Sequence, residues 1–504
     1  MVRSMKKLNK YLCKAPVLLR TAPIMAGYLI MTASPAHADL TALFGKFAND
    51  IEERSAVATQ AVYDQLKTAG CSDLQAGPTQ ACAGGTYLVW RNVREVVHNA
   101  NVLTGATEEP TNFSLGRPSV ALLGRALRWC NGEEFSSMGS LSNSFVNSQV
   151  GSLAARITAL RFGASGFRLA GSSFGDSPQL AQVGSRGGAA GADSWSRLGG
   201  FINVSYNDGD KDLTSREDAF SFDGRSINAG FDFRIDANWV AGVMLGYQNQ
   251  DLDFDTTATV EAKSKMHGVS LLPFILYQSD AWYASASLGY QRMNFDLNRH
   301  VNYGSGALAA VAVQHNTVDD SGTDANSFTS YNTVGYSFSP SAPWTIEPSL
   351  SIDYQHIAID GFTERDVQNQ GFNFAVDKQI VQSLEAIPAV RAQYAFKPSY
   401  GVWVPFVDAQ WHTQFKNDSR NIKALYADAG GLLTDAAQFE IATDALDKHY
   451  WVYTVGLSAV LRGAAPHGTE VAAGGLQAFV NYRWYEGMEN YSQQVVSAGL
   501  RYEF

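Results

Sequence analysis

Asp408, Gln410 and His412 occupy alternate positions of one extended segment, so their side chains share a face. An imidazole and a carboxylate on one face have the types needed for general acid–base work. The same alternation recurs elsewhere: Asp232, Arg234, Glu347, Asp353, Glu385, Arg391, Arg483 and Arg501 all sit between apolar neighbours. Mixed acids and arginines on one surface suit a hydrolytic centre, or they pair across a water-filled bore and hold it open. No Ser nucleophile can be placed beside them, so pairing is the reading adopted, with no catalytic, cofactor-binding or metal-ligating residue and no cofactor. Gly175-Asp176-Ser177-Pro178 resembles the nucleophile block of Gly-Asp-Ser-Leu esterases, but Pro replaces Leu and no Asp-x-x-His lies near the end of the N-terminal region. Arg91, Glu95 and His98 make a local polar face explained by pairing one helical turn apart. Glu133-Glu134 is weak evidence for a cation site in so acidic a chain.

The elements that position these groups alternate with period two. In the second strand Ile227, Ala229, Phe231 and Phe233 lie opposite Asn228, Asp232 and Arg234. In the seventh, Trp344, Ile346, Leu350, Ile352 and Tyr354 oppose Glu347 and Asp353; in the eighth, Leu384, Val390 and Tyr394 oppose Glu385 and Arg391. In the eleventh, Leu476, Ala478, Val480, Tyr482 and Trp484 face away from Arg483. Twelve such strands begin near residues 195, 220, 238, 261, 281, 325, 343, 383, 400, 449, 470 and 491. Short turns, as at Lys397-Pro398-Ser399, alternate with long polar loops at 207–219, 254–262, 298–324, 360–380 and 417–448. The last strand carries Val496, Ala498, Leu500, Tyr502 and Phe504 on one face and Arg501 on the other. Apolar residues toward lipid, polar residues toward a lumen and alternating loop lengths together define a 12-stranded antiparallel transmembrane β-barrel over 195–504.

The 504 residues include 27 Phe, 22 Tyr, 10 Trp and 45 Gly, which suits interfacial girdles and tightly bent sheets. A basic leader, an apolar run from about Ala22 to Thr32 and Ala36-His37-Ala38 predict a signal peptide over 1–38, cleaved between Ala38 and Asp39. Its removal takes away six of 38 basic residues and no acid, leaving 32 against 48 and a net charge of −16. Such a balance argues against a nucleic-acid partner. In an oxidising compartment Cys71 and Cys82 are the candidate disulfide, and Cys130 is left over as a buried thiol.

Residues 39–142 read as a helical domain, passenger-like or plug-like. Asn143–Phe162 forms a further helix with Phe145, Gln149, Leu153, Ile157 and Leu160 roughly on one side. Its 20 residues span about 30 Å, the thickness of a hydrocarbon core. Residues 163–194 are Gly-, Ser- and Ala-rich and read as a linker.

This order of parts is similar to the autotransporters of the type V secretion class. The terminal Phe504 resembles their assembly signal, and Trp195-Ser196-Arg197-Leu198-Gly199-Gly200 resembles the aromatic-then-Gly opening of their barrels. The resemblance implies an outer-membrane barrel, built by the barrel-assembly machinery with periplasmic chaperones, that exports or displays its own N-terminal segment with a helix in the pore. Acids near an Asn promote backbone cleavage in some barrels of the family, and Asn143 or Asn147 would be the partner here. Two departures stand out: the N-terminal region is short and helical rather than a long β-helix, and the helix is far from the first strand. If the helix lies in the bore, Arg156 or Arg161 should meet a lumen acid. The alternatives are a plugged channel or receptor and, behind it, an outer-membrane hydrolase or protease.

Overall fold

The computed structural model describes residues 39–106, 113–163, 198–236, 238–257, 260–279, 281–303, 315–341, 343–396, 398, 401–416, 418–462 and 476–503. Residues 1–38, the expected signal peptide, residues 164–197, which hold Gly175–Pro178 and Trp195–Arg197, and Phe504 lie outside these.

Four helices precede the barrel: α1 (Asp50–Thr68), α2 (Gly84–Thr104), α3 (Val120–Trp129) and α4 (Ser137–Gly163). Local chemistry sets their ends. The Asn49 side chain accepts from the Glu52 amide at the start of α1, and that of Ser119 from the Leu122 amide at the start of α3. Gly105, with φ of 80°, closes α2 in the left-handed region. α4 starts six residues before the expected Asn143, because the single turn Glu133–Ser136 runs directly into Ser137. The small polar stretch Ser137–Ser142 carries little apolar periodicity to announce a helix. Among the described residues, no helix is long and apolar enough to cross a membrane.

Twelve long antiparallel strands follow: Leu198–Lys211, Phe220–Arg234, Trp239–Phe254, Ala262–Gln278, Trp282–Tyr303, His315–Tyr336, Trp344–Ile359, Gln379–Tyr394, Val402–Gln414, His449–Arg462, Leu476–Glu486 and Tyr491–Glu503. They are called first to twelfth below. Each pairs with its neighbours in sequence, and the first pairs with the twelfth from Gly199↔Glu503 to Lys211↔Tyr491. Closure removes the free edges of an open sheet. Ile227, Phe231, Leu245, Leu288, Val390 and Leu500 are exposed on the outer face, whereas Asn228, Asp232, Gln248 and Glu347 are buried inside. Paired rings on the outer face mark both ends of the apolar band: Trp239–Tyr277, Trp282–Tyr336 and Trp344–Tyr394 at the short turns, and Trp411–Trp451 toward the long loops.

At the long-loop end the pattern inverts. Phe220, Phe222, Leu252, Phe254, Met266, Phe295, Leu297 and Val301 point inward and are buried, while Asp251, Asp253, Lys263 and Lys265 point outward. The outer neighbour there is water, and the inner neighbour is the helical domain. The expected 298–324 loop is therefore largely a continuation of the fifth and sixth strands, paired out to Tyr303↔His315. Two other long loops fold as well. Phe439–Ala442, Asn421–Tyr426, Phe374–Val376 and Phe362–Thr363 form a four-stranded sheet in that order.

The helical domain packs onto this loop sheet. Trp90, Leu127 and Phe135 share one hydrophobic core with Phe372, Phe374, Phe439 and Ile441 of the loops. Phe135 meets Phe362 and Phe374 edge-on at 5.5 and 6.1 Å between centroids. Asn92 Nδ2 donates to Gln370 O at 2.8 Å, and Gln65 and Thr434 exchange hydrogen bonds of 3.0 and 2.8 Å. The domain is a cap on the long-loop end.

Candidate functional site

The site is the lumen and the helix within it. Leu153, Ile157 and Leu160 of α4 cluster with Phe201, Met244, Leu272, Phe274 and Leu276 of the first, third and fourth strands. Close approach depends on missing side chains on the wall. A Cβ on Gly268 would stand 2.9 Å from the Phe145 ring, and one on Gly246 would collide with Gln149.

Polar contacts set the height and rotation of the helix. Near the long-loop end Gln250 Nε2 donates to Ser144 Oγ at 3.0 Å. In the middle, Ser270 Oγ donates to Gln149 Oε1 at 2.7 Å and Gln355 Nε2 to Asn147 Oδ1 at 2.7 Å. Near the short turns the two arginines take over. Arg156 pairs with Asp232 and lies 4.3 Å over the Phe201 ring; Asp232 also accepts from Arg501 at 3.0 Å. Arg161 pairs with Glu347, donates to Ser337 Oγ at 3.0 Å and lies 3.3 Å over the Tyr283 ring. These pairs are buried and hydrogen-bonded, so removing one partner strands a charge.

The remaining lumen residues sort into two groups. Arg391 stands between Glu347 and Asp408 in the cross-strand register and lies 3.7 Å over the Phe406 ring. Asp353 and Glu385 are also in register: Asp353 accepts from Gln355 at 2.9 Å, and Glu385 accepts from His412 Nδ1 at 2.7 Å and Tyr450 Oη at 2.9 Å. His412 thus pairs with Glu385 rather than with Asp408, whose carboxylate accepts from Gln410 at 2.6 Å. Arg483 reaches to 3.5 Å from Gly151 O of α4, and Arg234 is half-buried at its strand end. Asn147 is separated from Asp353 by Gln355, which bonds to both. Among the described residues, no group of three or more His, Cys, Asp or Glu could hold a metal ion.

Val496, Leu500 and Tyr502 of the proposed assembly signal are exposed on the outer face, with Ala498 half-buried between them. Asp39 caps the turn Leu40–Leu43 by accepting from the Thr41 amide; Ala38 lies outside the described residues. Cys71 and Cys82 form a disulfide, and burial pushes the Cys130 thiol up to about 12. Arg91 reaches Gln370 O at 3.1 Å, and His98 bonds to Asp73 at 3.3 Å.

Sequence reading missed the seam between cap and barrel. Arg299, 1% exposed, is held by Asp319 and Glu364 at 2.9 and 2.6 Å and donates to Trp129 O at 3.3 Å. Glu133 takes Arg128 at 2.7 Å, and Asp218 is 3.4 Å from the same guanidinium. Glu133 is therefore tied to Arg128, and Glu134 is buried next to it. The readable signal was the inverted alternation, with Leu297, Arg299 and Val301 on the inward face.

A closed transmembrane barrel with a helix threaded through its lumen defines the class. Residues 200–465 match the autotransporter beta-domain family, and the chain belongs to that family. The family places it in the outer membrane. It is similar to Esterase EstA of Pseudomonas aeruginosa, with 23% identity over 318 residues, 62% of this chain and 44% of that protein. An Esterase EstA of Pseudomonas putida matches equally. The chain thus spans under half the length of these curated relatives. Among solved structures, the translocator domain of autotransporter NalP from Neisseria meningitidis matches with a TM-score of 0.44 and 13% identity, covering 71% of this chain and 98% of that one. The beta domain of the Bordetella autotransporter BrkA matches at 0.41 and 15%, covering 61% and 99%.

Proposed function

We propose that this chain is an outer-membrane translocator that carries its own N-terminal helical region to the cell surface and retains it there as a cap. One topological observation carries the reading. The barrel starts at Leu198 and ends at Glu503 on the short-turn end, and Arg161 near the end of α4 meets Glu347 and Ser337 at that same end. The helical domain sits at the other end, and α4 is the element that leads the chain from it down the bore. Outer-membrane barrels place short turns in the periplasm and long loops outside, so the cap reached its position through the bore.

Outer-membrane lipid, the barrel-assembly machinery and periplasmic chaperones are the partners this route requires. Exposed Val496, Leu500 and Tyr502 supply the lipid-facing end of the assembly signal. The cap's buried imidazole, His98, is 1% exposed and enclosed by Asp73 and the rings of Tyr63 and Phe113, which keeps it from a substrate. A plugged channel uses the same barrel, but leaves the shared core of cap and surface loops without a route of assembly.

The test is surface exposure in intact cells. A tag after Leu74, the most exposed apolar residue of the cap at 80%, should be reached by antibody and protease, as should one at Leu432 in the loops. A tag at Pro398 should not. Access to Leu432 without access to Leu74 would remove the export reading.

A further inference from the structure

Toward the long loops, the space beside α4 widens into a cavity of about 540 Å³, a size typical of small-molecule sites. One wall is the face of α4 that carries Gly139, Ser140, Asn143 and Asn147; most of the rest comes from the eighth to twelfth strands and their loops. Among the described residues, α1, α2 and α3 contribute nothing to the lining. The eleventh and twelfth strands are joined here by residues 487–490 alone, the shortest connection at this end. Around that low wall Lys416, Asp418, Glu489 and Asn490 line the cavity and are exposed, so its mouth opens there.

Most polar groups of the lining already have partners in the protein. Gln414 bonds to Ser383 and Glu385, and Gln382 to His356 and Lys416. Lys211 is held by Asp444 at 2.5 Å and Glu217 at 3.2 Å, and Asp447 accepts from the Glu489 amide at 3.1 Å. The remaining acids, Asp418 and Glu489, are at the mouth, where water screens them. Two side chains keep spare capacity. Arg420 donates to Gln379 Oε1 at 3.2 Å and, among the described residues, has no ion pair, although a guanidinium carries five donors. Arg156 and Arg161, which α4 itself contributes, each take a carboxylate. Arg420 lies against the backbone of Gly139, where a Cβ would collide with Nη2. Asn143 is one turn further along α4, about 6 Å away along the axis. Its Oδ1 is enclosed and accepts from no described residue, so its donor comes from whatever fills the cavity.

We infer that this cavity binds a small hydroxylated anion of the sugar-acid class, with its carboxylate on Arg420 and a ring hydroxyl on Asn143. The planar guanidinium matches a carboxylate with two parallel hydrogen bonds. A hydroxyl supplies the donor that Asn143 Oδ1 needs, and one pyranose ring spans a single helical turn. Tyr485 and Tyr491 border the same space; each is stacked on one side, against Tyr450 and Phe222, and offers ring surface to the C–H face of a sugar. An apolar guest would leave Arg420 and Asn143 desolvated and unpaired. Binding here is separate from export of the cap.

The experiment is isothermal titration of the full chain in detergent with sodium D-glucuronate, for which one saturable site is expected. Arg420→Gln removes the fork, and Asn143→Asp, almost unchanged in shape, sets a carboxylate beside it. Each should weaken binding about tenfold or more, as expected when a hydrogen bond to a charged group is lost or opposed. Arg225→Ala, exposed on the outer face, should leave binding unchanged. Heat-modifiable migration shows that each barrel is intact. With the unaltered chain, D-glucose has the hydroxyls without the anion, and acetate and glycine have the carboxylate without hydroxyls; each should bind about tenfold more weakly than glucuronate. No saturable glucuronate binding, or binding untouched by both substitutions in intact barrels, overturns the site. Glucose, acetate or glycine binding as tightly as glucuronate overturns the ligand class. Export is read separately, by surface exposure of the cap.

Discussion

Phe135 joins the cap to the barrel loops through two ring contacts, and replacing it with Ala separates docking from barrel integrity. The ring is 0% exposed, meets Phe362 and Phe374 edge-on, and lies 5.6 Å from the Arg299 guanidinium. Truncating a buried Phe costs about 3–5 kcal/mol, from lost transfer energy plus the cavity left behind. The aromatic pairs account for about 0.5–1.5 kcal/mol each beyond area. At 1.4 kcal/mol per decade, even the lower bound raises the undocked population about a hundredfold. Phe135 lies outside the strands, so the barrel ladder is untouched. Amide hydrogen exchange in α1 and α2 of the detergent-solubilised protein should accelerate by that order, while barrel amides and heat-modifiable migration stay as in the parent. Unchanged exchange in the helices would refute the shared core. Equal acceleration in the barrel would show that cap and barrel unfold as one unit.

Asp232→Ala leaves Arg156 and Arg501 facing each other without their carboxylate, at a cost of about 3–5 kcal/mol; the temperature at which heat-modifiability is lost should fall clearly, whereas Asp223→Ala on the outer face should leave it in place. Glu133 and Glu134 are raised, first by burial, to about 8 and about 7. A folded value above the unfolded one means that the stabilisation is complete below about pH 4.5 and lost as pH climbs through 7 and 8. Resistance of the cap to protease should therefore decline between pH 5 and pH 9, with Glu133→Gln flattening the profile; a cap more resistant at pH 9 would contradict the burial argument. Deleting Phe504 should reduce membrane-inserted, heat-modifiable protein while leaving export to the periplasm intact, and undiminished insertion would argue against the assembly signal.

The sequence alone was enough for the barrel because a lipid-facing strand has no freedom in its pattern. Ile227, Phe231, Leu350, Val390 and Leu500 must meet hydrocarbon, and Asp232, Glu347 and Glu385 must not. A period of two then determines faces, strand number and most starts to within a few residues; the sixth strand is the exception, beginning at His315 rather than near 325. Arg156 and Arg161 could also be picked out, since an arginine on a helix beside carboxylates has few economical places to go. Which acid each one takes is a matter of rotation and height, decided by Gly246, Gly268 and the Gln149–Ser270 contact.

Other features belonged to tertiary structure. His412 and Asp408 share a face but lie four residues apart, about 13 Å along a strand, whereas Glu385 on the neighbouring strand is within hydrogen-bond reach. Sequence spacing cannot rank those two acids. The cap seam was hidden for a similar reason. Phe362, Phe374 and Phe439 are scattered through loops that read as polar, and they become a core only when helices more than two hundred residues earlier in the chain are laid on them. Local pattern records which face must avoid water. Only the folded chain, closing contacts such as Gln65–Thr434 across 369 residues, determines what covers it.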